Sequence, residues 1–124
     1  MPVTCEIVAS SHFVTIRYED PYSFAEWAQA MTAVRDDPTF EPGFHFLIDR
    51  TTAGPPPAAF AHAVATYVRE HPAMFRGARS AIVVGEGLAF GMARMQEGLN
   101  EGAGLRARVF SSVGEAMRWL AEPS

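Results

Sequence analysis

The residues of this chain that could do chemistry gather where an apolar run gives way to polar ones. In FHFLIDRTTAGPPPAAF, residues 44–60, a carboxylate (Asp49), a guanidinium (Arg50) and two hydroxyls (Thr51, Thr52) follow one another without a gap. At the carboxyl end of a buried strand, such a cluster lies where the crevice of an open α/β sheet receives a ligand or a partner. The same residues suit a plainer role, because a turn aspartate accepts hydrogen bonds from amides just ahead of it and so fixes its own loop. His45 shares a strand face with Leu47 and Asp49, while Phe44, Phe46 and Ile48 point the other way. A general base built from Asp49 and His45 is therefore the enzymatic arrangement on offer, yet at ~3.3 Å rise per residue the two stand about 13 Å apart along one strand. No catalytic residue is assigned.

The remaining candidates are weaker. Arg94 stands among Phe90, Met92 and Met95, where its stem covers apolar surface with its head in water or it faces a ligand or a partner's carboxylate. It joins Asp49, Arg50, Thr51 and Thr52 as a binding candidate. Gly85, Gly87 and Gly91 follow a strand and open a helix, but their G-x-G-x-x-x-G spacing is one residue too long for a dinucleotide fingerprint, and no acidic residue follows to hold a ribose. A tight strand-to-helix turn explains them. His12, His45, His62 and His71 are scattered over separate elements, with neither spacing nor face for a metal. Cys5 has no neighbouring cation in sequence to lower its pKa. No metal and no cofactor is expected.

Positioning these residues requires an ordered set of elements. Val3 to Ala9 and His12 to Tyr18 are β-rich runs separated by Ser10 and Ser11, a hairpin spacing. Ser23 and Glu26 form a capping-box pattern ahead of Phe24, Trp27, Ala28, Met31 and Val34 at helical spacing, and Asp36 to Gly43 ends that helix. Phe44 to Ile48 reads as the central strand. Pro55 to Pro57 lead into a second helix with Phe60, Val64, Tyr67 and Val68 on its apolar stripe, terminated by Pro72. Ala81 to Val84 is a further strand, and Leu88, Met92, Met95 and Leu99 mark a third helix stopped by Gly102 and Gly104. Arg106 to Phe110 is the last strand, and Ser112 with Glu115 caps a helix whose stripe is Val113, Ala116, Met117 and Leu120. The order ββαβαβαβα predicts an α/β fold: a mixed, mostly parallel five-stranded sheet with four helices, right-handed crossovers and an antiparallel first strand.

Composition narrows the function classes. At 124 residues and 48% hydrophobic, the chain can bury one core without disulfides or metal, so one domain over residues 1–124 is expected. A net charge of −4, with 14 acidic against 10 basic residues, lacks the electrostatic footprint of a nucleic-acid binder. Every basic residue is an arginine, which removes Schiff-base chemistry, pyridoxal phosphate anchoring and the Walker A loop. One cysteine, no signal-peptide pattern and no run near 20 apolar residues make a reducing, cytoplasmic setting the default, and the arginine bias suggests a GC-rich bacterial genome.

This order, with FHFLIDRT, the RSAIVV strand, FGMARM on the following helix and VFSSVGEAMRWL at the end, resembles the STAS domain of bacterial anti-sigma-factor antagonists, and more closely its SpoIIAA-like (STAS/SEC14) branch. The resemblance spans roughly Val14 to Leu120. It implies a non-catalytic regulatory or binding domain that docks a protein partner or a small apolar ligand near the Asp49–Pro57 loop. Antagonists of that family carry a phosphorylatable serine at the start of the helix after this strand; here the stretch reads Pro55, Pro56, Pro57, Ala58, Ala59, so only Asp49 matches. Thr51 and Thr52 are the nearest hydroxyls. The SEC14 side of the resemblance implies an alternative, a carrier of lipid or another small hydrophobic ligand with a pocket roofed by Phe90, Met92 and Met95. An apolar excess left exposed on two neighbouring helices would mark a homodimer face or a lipid-accepting groove.

Overall fold

The computed structural model describes residues 3–54, 56–85, 94, 98 and 105–123. Five strands, β1 (Val3–Val8), β2 (Phe13–Tyr18), β3 (His45–Asp49), β4 (Arg79–Val83) and β5 (Arg106–Phe110), form one sheet in the order β1-β2-β3-β4-β5. β1 pairs antiparallel with β2, and every other pairing is parallel. The described helices are α1 (Phe24–Asp36), α2 (Ala58–Glu70), the single turn α3 (Pro72–Phe75) and α4 (Val113–Ala121). Arg94 and Gly98 are also helical; the rest of the third expected helix lies outside the described residues.

Strand burial follows from sheet position. β4 is buried along its whole length, as a parallel strand covered on both faces must be, whereas edge strand β5 keeps Arg106 and Arg108 exposed. Two apolar cores result, one per face. Val14, Ile16, Tyr18, Phe46, Ile48 and Ile82 pack against Trp27, Met31 and Val34 of α1 and Phe60, Val64 and Val68 of α2. On the opposite face Phe13, Leu47, Ala81, Val83 and Phe110 pack under Ala116, Trp119 and Leu120 of α4.

Several expectations are corrected. The first two strands are not joined by a two-residue turn: Ala9–Ser11 forms a 3-10 turn, and His12 takes the left-handed conformation at φ 60° that lets the chain reverse. Pro72 ends α2 but also opens α3, since its missing amide costs nothing in a first turn. β4 begins two residues before Ala81, with Arg79 buried inside it. In α4 the stripe toward the sheet is Ala116, Trp119 and Leu120, while Val113 and Met117 face solvent at 45% and 38% exposure. The periodicity of α4 allows both stripes, and the tryptophan, with far more apolar area to hide, takes the sheet side.

Candidate functional site

The site grows from the end of β3. Alternation sends Leu47 and Asp49 to the α4 face, and Arg50 to the face carrying α1 and α2. The Arg50 amide donates to the Val83 carbonyl and its own carbonyl accepts from the Ala53 amide, which turns the chain out of the sheet. Asp49 then fixes the turn: its Oδ1 accepts from the Thr51 amide at 2.9 Å and from the Thr51 hydroxyl at 2.6 Å. Its Oδ2 lies 3.5 Å from Nε of Arg17, its direct partner in the β2–β3 register. Burial pushes the Asp49 carboxyl up, but the two Thr51 hydrogen bonds and Arg17 together outweigh it and hold the pKa below the usual carboxylate value.

Thr52 is exposed, and its hydroxyl makes only a long 3.5 Å contact to the Tyr18 carbonyl. Beyond it the loop is tied across the sheet end, where the Gly54 amide donates to Oδ2 of Asp20 and the Tyr22 hydroxyl donates to the Gly54 carbonyl at 2.6 Å. Tyr18, Tyr22 and Phe60 pack edge and face beneath this tie, with centroids 5.0 to 5.9 Å apart. Pro57, Ala58 and Ala59, leading into α2, are exposed.

Arg50 is the unusual member. Only 2% of it is exposed, its guanidinium carbon sits 5.2 Å from the Tyr18 ring centroid, and among the described residues none of its three guanidinium nitrogens has a hydrogen-bond partner. Its charge and its contact with the Tyr18 hydroxyl act against the burial that drives the Tyr18 pKa strongly upward. Tyr22 is likewise raised by burial, opposed by Arg50 and assisted by Asp20. Charged side chains are almost never fully buried unless paired, because an unpaired buried ion costs several kcal/mol. Sequence places Arg50 in the polar cluster; its burial has no signal there beyond strand alternation.

Of the five expected binding residues, the structure brings Asp49, Arg50, Thr51 and Thr52 together at one strand end, with Asp49 and Arg50 on opposite faces. Arg94 is exposed on its helix. The ion pairs among the described residues, Arg17 with Asp49 and Arg35 with Asp36, do not join it to the loop. The pair Asp49 and His45 does not converge. Nδ1 of His45 accepts the Arg79 amide at 2.9 Å, capping the start of β4, and burial, with Arg79 and His12 nearby, lowers its pKa. A ring whose Nδ1 is an acceptor carries its proton on Nε2, which makes His45 a structural histidine here.

Arg79, which sequence reading missed, is structural too. Its guanidinium donates to the carbonyls of Trp119, Glu122 and Pro123 at 2.6 to 2.9 Å, closing the carboxyl end of α4. Among the described residues no cluster of three metal-ligating side chains exists. His71 stacks on Tyr67 at 3.9 Å, and Cys5 is half-buried with its thiol pushed up to about 11 by burial. The cavity between the sheet and helices α1 and α2 that the described residues enclose is about 20 Å³, the space of roughly one water. Phe90, Met92 and Met95, the expected roof of a carrier pocket, lie outside the described residues, as do Gly87 and Gly91.

No protein-family model matches the sequence, and neither does any curated protein. Among solved structures the chain is similar to the crystal structure of an uncharacterized protein of the DUF3478 family from Shewanella loihica PV-4, described as having a SpoIIAA-like fold. The likeness covers 95% of this chain and 91% of that one, with a TM-score of 0.64 and 15% sequence identity. At that identity the likeness is one of architecture: a five-stranded mixed sheet between helices, which is a SpoIIAA-like fold.

Proposed function

We propose that this chain is a non-catalytic binding or regulatory domain that docks a partner, a protein or a small apolar ligand, on the surface running from Asp49 to Pro57 and onto the start of α2. One observation carries the reading: at the carboxyl ends of parallel strands, Arg50 is buried with no hydrogen-bond partner for its guanidinium among the described residues, in a loop that exposes Thr51 and Thr52 and leads to exposed Pro57, Ala58 and Ala59. A purely structural loop would satisfy its buried polar groups internally, as Asp49 and Thr51 do. The separate engagements of His45 and Asp49 favour binding over acid–base catalysis. A cytoplasmic location belongs to the same reading.

A phosphoryl switch on Thr51 fits the geometry poorly. Its hydroxyl is a donor to the Asp49 carboxylate, and phosphorylation would replace that donor with negative charge against a carboxylate. The test is site-specific photo-crosslinking in the chain's own host. A crosslinker at Thr52 or Ala59 is expected to trap the same partner, and one at Arg118, on the helix covering the opposite sheet face, to trap none. Equal capture from all three positions removes the proposal.

A further inference from the structure

We infer that β1 pairs edge to edge with the β1 of a second copy of this chain, antiparallel about a two-fold axis at Cys5. The sheet ends in β1 on one side and β5 on the other, and an edge strand offers a row of main-chain donors and acceptors to any further strand. The two edges are guarded differently. β5 exposes Arg106 and Arg108, so a second copy paired there about an equivalent axis would bring arginine beside arginine. β1 holds no lysine and no proline and runs against β2 for six pairs without a bulge. Hollows flank it on both faces. Toward α1 lies a groove of about 390 Å³ that Cys5 and Ile7 share with the small Ala30 and Ala33. On the opposite face Thr4, Glu6, Thr15 and Arg17 line one of about 170 Å³. A strand added beside β1 therefore finds room for its side chains above and below the sheet.

Side-chain pairing sets the register and selects a second copy as the occupant. With the axis at Cys5, Val3 of one copy opposes Ile7 of the other, Cys5 opposes Cys5, and Thr4 opposes Glu6. Apolar then meets apolar on the α1 face, and no charge faces its like on the other. An axis at Glu6 would set the two carboxylates against each other, and one at Thr4 would leave Ile7 and Val8 unpaired. Charge favours the Cys5 axis further. Asp49, Arg17 and Thr4 are successive partners in one row across the sheet, and the Arg17 side chain is 59% exposed. Glu6 of the second copy extends that row, placing a carboxylate on the open side of Arg17.

The experiment is sedimentation equilibrium of the full chain, which should give twice the mass of one chain. Thr4→Glu sets a carboxylate opposite Glu6, and the two-fold repeats the clash, so the dimer dissociation constant should rise about tenfold or more. Thr4 is exposed, and the circular dichroism of that variant should stay native. Adding Glu6→Lys to Thr4→Glu puts opposite charges face to face in this register and should restore the dimer. A chain that is monomeric at every concentration up to its solubility limit overturns the inference. So does a dimer that Thr4→Glu leaves unchanged, because another face would then hold it. A folded double variant that associates no more tightly than Thr4→Glu also overturns it, because position 4 would then not oppose position 6.

Discussion

Asp49 and Arg50 are neighbours in sequence with opposite physical situations. Asp49 is satisfied: Thr51 occupies Oδ1 and Arg17 approaches Oδ2. Because its folded-state pKa is lowered despite the opposing effect of burial, the unfolded chain binds a proton here more readily than the folded one. Its contribution to stability is therefore present above the unfolded carboxyl value of about 3.9 and is lost as pH falls through the lower folded value. Asp49→Asn keeps an acceptor for Thr51 and loses the charge. Urea midpoints should place it below the wild type at neutral pH, with the gap closing as pH falls below about 3.9; a gap independent of pH would show that charge is not what Asp49 contributes. Asp49→Ala also loses the acceptor, and its deficit should persist in acid. The aspartate is legible in sequence because its loop chemistry is local. Arg50 is legible as a polar residue at a strand end but not as a buried one, since its burial depends on Tyr18 and Tyr22, 32 and 28 positions away in the chain.

Elements divide along the same line between local and distant causes. The apolar alternation of β3 and the serine caps of α1 and α4 are written within a few residues, and the structure bears them out: Ser23 Oγ accepts the Glu26 amide and Ser112 Oγ the Glu115 amide. The serine half of the first capping box forms, while Oε2 of Glu26 is buried without a partner among the described residues. The apolar run Ala81 to Val84 stops short of the start of β4 because a buried arginine breaks an apolar pattern until its acceptors are known, and those acceptors lie 40 to 44 residues later at the end of α4. Arg79 thus joins a central strand to the last helix, completing the orphan carbonyls that every helix end leaves. Arg79→Met keeps the buried stem and removes the three charge-assisted bonds. Hydrogen bonds to charged groups contribute roughly 1.5–3 kcal/mol each and are not additive, so a loss of about 2–4 kcal/mol is expected in urea unfolding. Amide hydrogen exchange should accelerate in the last turn of α4 beyond the change seen in α1. Uniform acceleration would mean that Arg79 supports the sheet rather than the helix end.

At the scale of the whole molecule, the question is whether a sheet with two cores opens as one body or sheds its edge first. β1 is the strand to watch, because it has a neighbour on one side only, yet it is registered with β2 over six residue pairs and packs Val3, Cys5 and Ile7 onto the core shared with α1. Cys5 is the chain's single cysteine, so thiol labelling reports on β1 without ambiguity. Burial raises its thiol from 9.0 to about 11, and since the thiolate is the reactive form, that shift makes it on the order of 100-fold less reactive at mildly alkaline pH before access is considered. Alkylation by iodoacetamide should accordingly be about 100-fold slower in buffer than in unfolding urea, or slower still. The urea dependence then separates the two modes of opening. If β1 leaves only with the rest of the sheet, as its ladder and its contacts to the α1 core require, the labelling rate rises with urea along the same slope as global unfolding followed by far-ultraviolet circular dichroism. A rate that is insensitive to urea below the unfolding transition would instead show labelling without global unfolding, by direct attack on the half-buried thiol or by fraying of β1, and fraying is the cause if the slowing falls well short of what the raised pKa requires.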